Sequence, residues 1–75
     1  MEVEERISKE IAKFEENLLA LKSGAMDENA KKIAELAEMY VKDAKVWLGR
    51  KEFYSAMASI YYAQGLLDAL SKLKE

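Results

Sequence analysis

Residues 40–70 read YVKDAKVWLGRKEFYSAMASIYYAQGLLDAL, and this stretch decides the fold. Before Gly49, Tyr40, Ala44 and Trp47 stand four and three residues apart, with Val41 and Leu48 beside them. After it, Phe53, Ala56, Ile60, Ala63, Leu67 and Leu70 follow spacings of 3, 4, 3, 4 and 3. Apolar residues at that period line one face of an α-helix. Gly49 parts the two runs, and the connection is short, so the helices it joins run antiparallel.

The same period extends toward the N-terminus. Met26, Ala30, Ile33 and Ala37 lead into Tyr40 at spacings of 4, 3, 4 and 3, with Ala34 widening the stripe. Asp27 is placed to cap this helix and Glu28 to favour its first turn. Earlier still, Val3, Ile7, Ile11, Phe14, Leu18 and Leu21 form one narrow stripe, and pairs such as Glu5 and Lys9 sit four apart on the outer faces. Ser23 and Gly24 stop this first helix, with Gly24 expected to take a left-handed cap. The reading is an all-α, up-and-down three-helix bundle forming one domain over residues 1–75, with helices over 2–22, 27–48 and 52–73.

Composition agrees. There is no Pro, only three Gly, and an abundance of Ala, Leu, Glu and Lys, all good helix formers. Hydrophobic residues make up 51% and charged residues 35% of the chain, which is globular rather than disordered. The charge-free run from Phe53 to Leu67 is 15 residues long, short of the roughly 18 a membrane span requires. The acidic start, Met1-Glu2-Val3-Glu4-Glu5, lacks the apolar core of a signal peptide, so the chain is expected in the cytoplasm and away from membranes.

Chemistry is sparse. Without His or Cys, the common zinc, haem and iron–sulfur ligand sets and the Ser-His-Asp and Cys-His systems are missing. Glu35 and Glu38 lie opposite the apolar stripe, which disfavours a di-metal carboxylate site; neither a metal nor a cofactor is expected. Asp43 and Asp68 fall several turns apart on neighbouring helices, too far for a shared acid–base role, and Asp68 is instead expected to pair with Lys72 or Lys32. No nucleophile–base pair or Gly-rich phosphate loop stands out, so the chain is not read as an enzyme.

Two binding readings remain. Lys45, Arg50 and Lys51, with Lys42, form a basic end beside Trp47 and Tyr54 where a phosphate or nucleic acid could dock and stack. The formal net charge of -2 weighs against nucleic acid. The stronger feature is the third helix, whose charges Asp68 and Lys72 share one narrow arc with Tyr54 and Tyr61. Beside the main stripe runs a second weakly polar strip of Ala58, Tyr62, Gly65 and Ala69. The charge-poor arc then spans roughly 200°, against the ≳100° that a surface helix usually buries. Either Gly65 and Ala69 let the first helix approach closely, with Phe14 and Leu18 filling the space, or the strip is left for another subunit or protein. Met39 and Val46, seven apart on the second helix, also fall outside the core stripe and form a secondary patch. Function is thus read as association with protein, a homodimer included, through Tyr62, Gly65, Ala58, Met39 and Val46.

Within the opening stretch, Tyr40, Asp43, Ala44, Trp47, Leu48, Ala56, Tyr62, Ala63, Gly65, Leu66, Leu67, Asp68 and Ala69 follow a recurring pattern. It runs Tyr-x-x-Asp-Ala, then Phe or Leu, a turn, an Ala, and Tyr-Ala-x-Gly-Leu-Leu-Asp-Ala. The chain therefore resembles the short archaeal proteins grouped as domain of unknown function 357, over 31 of its 75 residues. The turn of that family usually reads Gly-Asp where this chain has Lys51-Glu52. The resemblance implies a three-helix bundle of archaeal origin and no assigned activity.

Overall fold

The computed structural model describes residues 2–74 and the side chains through residue 72. Three helices follow one another, α1 over Glu2–Lys22, α2 over Glu28–Gly49 and α3 over Phe53–Lys74. They pack into the expected all-α three-helix bundle, 38 × 17 × 15 Å. The sequence bounds for α2 and α3 lie one residue earlier at each end, while those for α1 coincide.

Each helix begins and ends for a local reason. Asp27, in extended backbone, accepts a 2.8 Å hydrogen bond from the Ala30 N–H and satisfies one of the free donors of α2. Three acidic side chains, Glu2, Glu4 and Glu5, occupy the first turn of α1, where the helix dipole favours them. At the end of α1 the Ser23 hydroxyl donates to the Ala20 carbonyl at 2.6 Å and the Gly24 N–H reaches the Leu21 carbonyl at 3.2 Å. The left-handed cap expected of Gly24 is not formed: among the described residues no glycine has positive φ. The Ser23 hydroxyl and the backbone turn serve those carbonyls instead.

The left-handed residue stands in the other turn. Lys51 takes φ 62°, its N–H donating to Leu48 at 3.0 Å while the Glu52 N–H donates to Trp47 at 2.9 Å. This pair of reversed hydrogen bonds closes the end of α2 and usually selects glycine at the position Lys51 holds. Gly49, expected to stop the helix, is its last residue.

The core is graded by residue size. α1 contributes Ile7, Ile11, Phe14 and Leu18, all buried. α2 and α3 bury Ala34, Ala37, Ala44, Ala56 and Ala63 along with Val41, Ile60, Leu67 and Leu70. Small side chains let two helices approach closely, and α2 packs most extensively on α3, whereas α1 packs less on α3 and least on α2. The large α1 side chains wedge into the furrow of the α2–α3 hairpin. Full burial of each contributes about 1.5–3 kcal/mol. Tyr40 and Trp47, read from the sequence as core, are half-buried and flank the alanine seam.

Candidate interaction face

Where α2 and α3 lie side by side, the flank away from α1 carries the residues the sequence marks for association. Ala58, Tyr62, Gly65 and Ala69 are all exposed on α3, Tyr62 to 55%. The covering of this strip by α1 is overturned at Gly65: a Cβ built there meets nothing within 4 Å. Gly65 therefore relieves no close approach inside the chain. Phe14 and Leu18 enter the core instead.

Tyr62 leans on α2. Its ring centroid lies 4.5 Å from that of Tyr40, at an interplanar angle of 42°. The contact joins the two helices at the surface and agrees with the register set by the turn between Gly49 and Phe53, which puts residue 40 about level with residue 62. Next to it on α2, Leu36 is 40% exposed and Met39 61%, and Val46, further along, 52%. Leu36 was not singled out in the sequence, although it precedes Met39 by three residues and Val46 by ten on the same side of the helix. Leu36, Tyr40, Met39, Tyr62, Ala58 and Ala69 make this flank a surface rich in Tyr, Leu and Met, with the exposed charges Lys32 and Asp43 on its α2 side. Apolar patches of this kind mark association sites more often than isolated exposed leucines do. Leu19, on α1, is also well exposed but lies apart from it, whereas exposed Tyr54 stands one turn before Ala58 on α3.

The basic end is dispersed by its own ion pairs. Lys45 contacts Glu15 of α1 at 3.0 Å, Lys51 lies 4.0 Å from Glu4, and the Arg50 guanidinium sits over the Trp47 ring, 5.7 Å from its centre. Each of the three cations thus has a separate intrachain partner. Lys22 likewise pairs with Glu38, and with Lys45–Glu15 it bridges a groove of about 290 Å³ between α1 and α2, floored by Phe14, Leu18 and Val41. Gln64 donates to the Glu10 carboxylate and carbonyl, the latter at 3.4 Å, and so ties α3 to α1.

Asp43 and Asp68 are both exposed. The tyrosine register sets Asp43 level with Ser59, nine residues from Asp68, or about 14 Å along the bundle. Among the described residues Asp68 has no ion-pair partner, so the expected pairs with Lys72 or Lys32 do not form. No group of three or more His, Cys, Asp or Glu among the described residues is placed to hold a metal ion, and no helix there is long and apolar enough to cross a membrane.

Residues 6–74 match the model of the family described as Protein of unknown function (DUF357), and the chain belongs to that family. No curated protein and no solved structure matches the chain.

Proposed function

We propose that this family member is a non-catalytic cytoplasmic module that associates with protein through the outer flank of α2 and α3. The observation that carries the reading is the cluster of exposed apolar and aromatic side chains around Tyr62, which remains open although the core of the bundle is filled. Tyrosine and methionine contribute large contact area with little to desolvate, and they are enriched where proteins meet. The absence of His and Cys from the sequence supports a role without nucleophilic or soft-metal chemistry.

A photo-reactive side chain tests the reading. Placed at exposed Ala58 or Met39 it should capture protein, a second copy included. Placed at exposed Lys13, on the outer side of α1, it should capture little. Equal capture from both sides of the bundle refutes the assignment of the face.

A further inference from the structure

We propose that the partner on this face is a second copy of the chain, docked antiparallel so that α2 lies on α2 and α3 on α3, about a two-fold axis at the level of Ala37 and Gly65. The inference rests on the interaction face described above and adds its occupant and register.

The first observation is a stripe on α2. Lys32, Leu36, Met39 and Asp43 follow one another at spacings of 4, 3 and 4 and share one side of the helix. The order is symmetric about the point between residues 37 and 38, except that the two ends carry opposite charge. An antiparallel copy centred there sets Leu36 against the partner's Met39 and Lys32 against the partner's Asp43, each contact made twice. A two-fold interface requires such self-complementarity. Within the chain neither charge is used: both side chains are exposed, and among the described residues neither has an ion-pair or hydrogen-bond partner.

The second observation lies on α3. The turn between Gly49 and Phe53 sets residue 40 about level with residue 62, as the contact of the two rings agrees, so three residues back along α2, at Ala37, corresponds to about three residues forward along α3, at Gly65. The centre set by the α2 charges is thus the level of the α3 glycine. About that centre Gly65 meets the partner's Gly65, and Tyr62 falls level with position 68 of the second copy, next to its small Ala69. A glycine inside a helix weakens it relative to alanine. Gly65 has neither a positive φ nor an intrachain neighbour to account for it. Close approach of a second α3 does account for it.

Charge reversal tests the register on the full-length chain by analytical ultracentrifugation. The unmodified protein is expected to dimerise reversibly. Lys32→Asp and Asp43→Lys should each weaken the dimer about tenfold or more, because like charges then face each other twice. An equimolar mixture of the two variants should recover dimerisation, since every Asp then faces a Lys, and the double variant should do the same. Circular dichroism checks that each variant remains helical. A monomer up to about 1 mM overturns the proposal. So does a dimer insensitive to both reversals, or reversals not rescued by mixing. If Tyr62→Ser dissociates a dimer that the reversals leave intact, the register fails and the face stands. If the chain is monomeric but cross-links other proteins from Ala58 and not from Lys13, the second copy fails as occupant and the face again stands. Dimerisation indifferent to both Tyr62→Ser and the reversals removes the face itself.

Discussion

Lys51→Gly should make the protein more stable, although it removes a charged side chain that reaches another helix. Lys51 holds φ 62°, where the Cβ of an L-residue crowds its own backbone. That conformation costs a non-glycine residue about 1–2 kcal/mol. Glycine escapes the crowding but loses more freedom on folding, which returns part of the gain. The lost interaction is small: the Lys51 ammonium lies 4.0 Å from the Glu4 carboxylate with its side chain 77% exposed, and such surface pairs contribute about 0–1 kcal/mol. The net expectation is a gain of about 1 kcal/mol. For a domain of this length that moves Tm by about 4–8 °C. Thermal and urea unfolding followed by circular dichroism at low protein concentration would read the shift apart from any association. Lys51→Ala provides the control, since it removes the ion pair and keeps the Cβ; it should fall within about 0.5 kcal/mol of the parent. Lys51→Asn, which tolerates the left-handed region, should lie between the two. If Lys51→Gly melts no higher than Lys51→Ala, the left-handed turn is not a source of strain and the reasoning fails.

Phe14→Ala should destabilise the fold by about 3–5 kcal/mol in urea titrations, because Phe14 is 1% exposed and its removal leaves a cavity between α1 and the hairpin. Ala63→Leu, at a fully buried position on the alanine seam, should cost about 1–3 kcal/mol by prising α2 from α3, measured the same way. Asp27→Ala should cost about 0.5–2 kcal/mol by freeing the Ala30 N–H, seen as a lower melting temperature and faster amide exchange in the first turn of α2. Gly65→Ala should raise the melting temperature of dilute protein by the equivalent of about 1 kcal/mol, since the added methyl meets nothing in the chain and improves helix propensity.

The stripes of α1 and α3 were legible because their large apolar residues recur at one period with charges opposite; Ile7, Ile11, Phe14, Ile60 and Leu67 are buried as that pattern requires. On α2 the pattern was broader than its buried centre. Tyr40 and Trp47 keep the helical period, but the alanines at 34, 37 and 44 bring α3 so close that a ring fits only at the flank. Periodicity names a face and leaves its centre open when small and large residues share it. The two turns misled in opposite ways. Gly24 could adopt positive φ, but a Ser23 hydroxyl and an ordinary turn close α1 without it. Lys51 adopts positive φ against its preference, because the hydrogen bonds to Trp47 and Leu48 fix the turn two residues beyond Gly49. At the candidate face, the excess apolar arc of α3 marked Tyr62 and Gly65 but left open whether α1 covers them; their exposure comes from the packing. The part played by Leu36 and Tyr40 depended on which flank of α2 lies beside that arc, and this requires the packing of the hairpin.

Core and face in this bundle have one origin. Had α2 and α3 met through leucines, their axes would stand further apart and their outer flanks would be two ridges divided by a furrow. The alanine seam draws them together, brings Tyr40 and Tyr62 into contact, and merges the flanks into one surface. Helix α1 supplies the bulk that the seam lacks, from the opposite side, and so leaves that surface uncovered. A substitution in the seam therefore acts on stability and on the face together, whereas one in the α1 wedge acts on stability alone. Ala63→Leu and Phe14→Ala separate the two effects: compared under conditions where both remain folded, only the first should alter association.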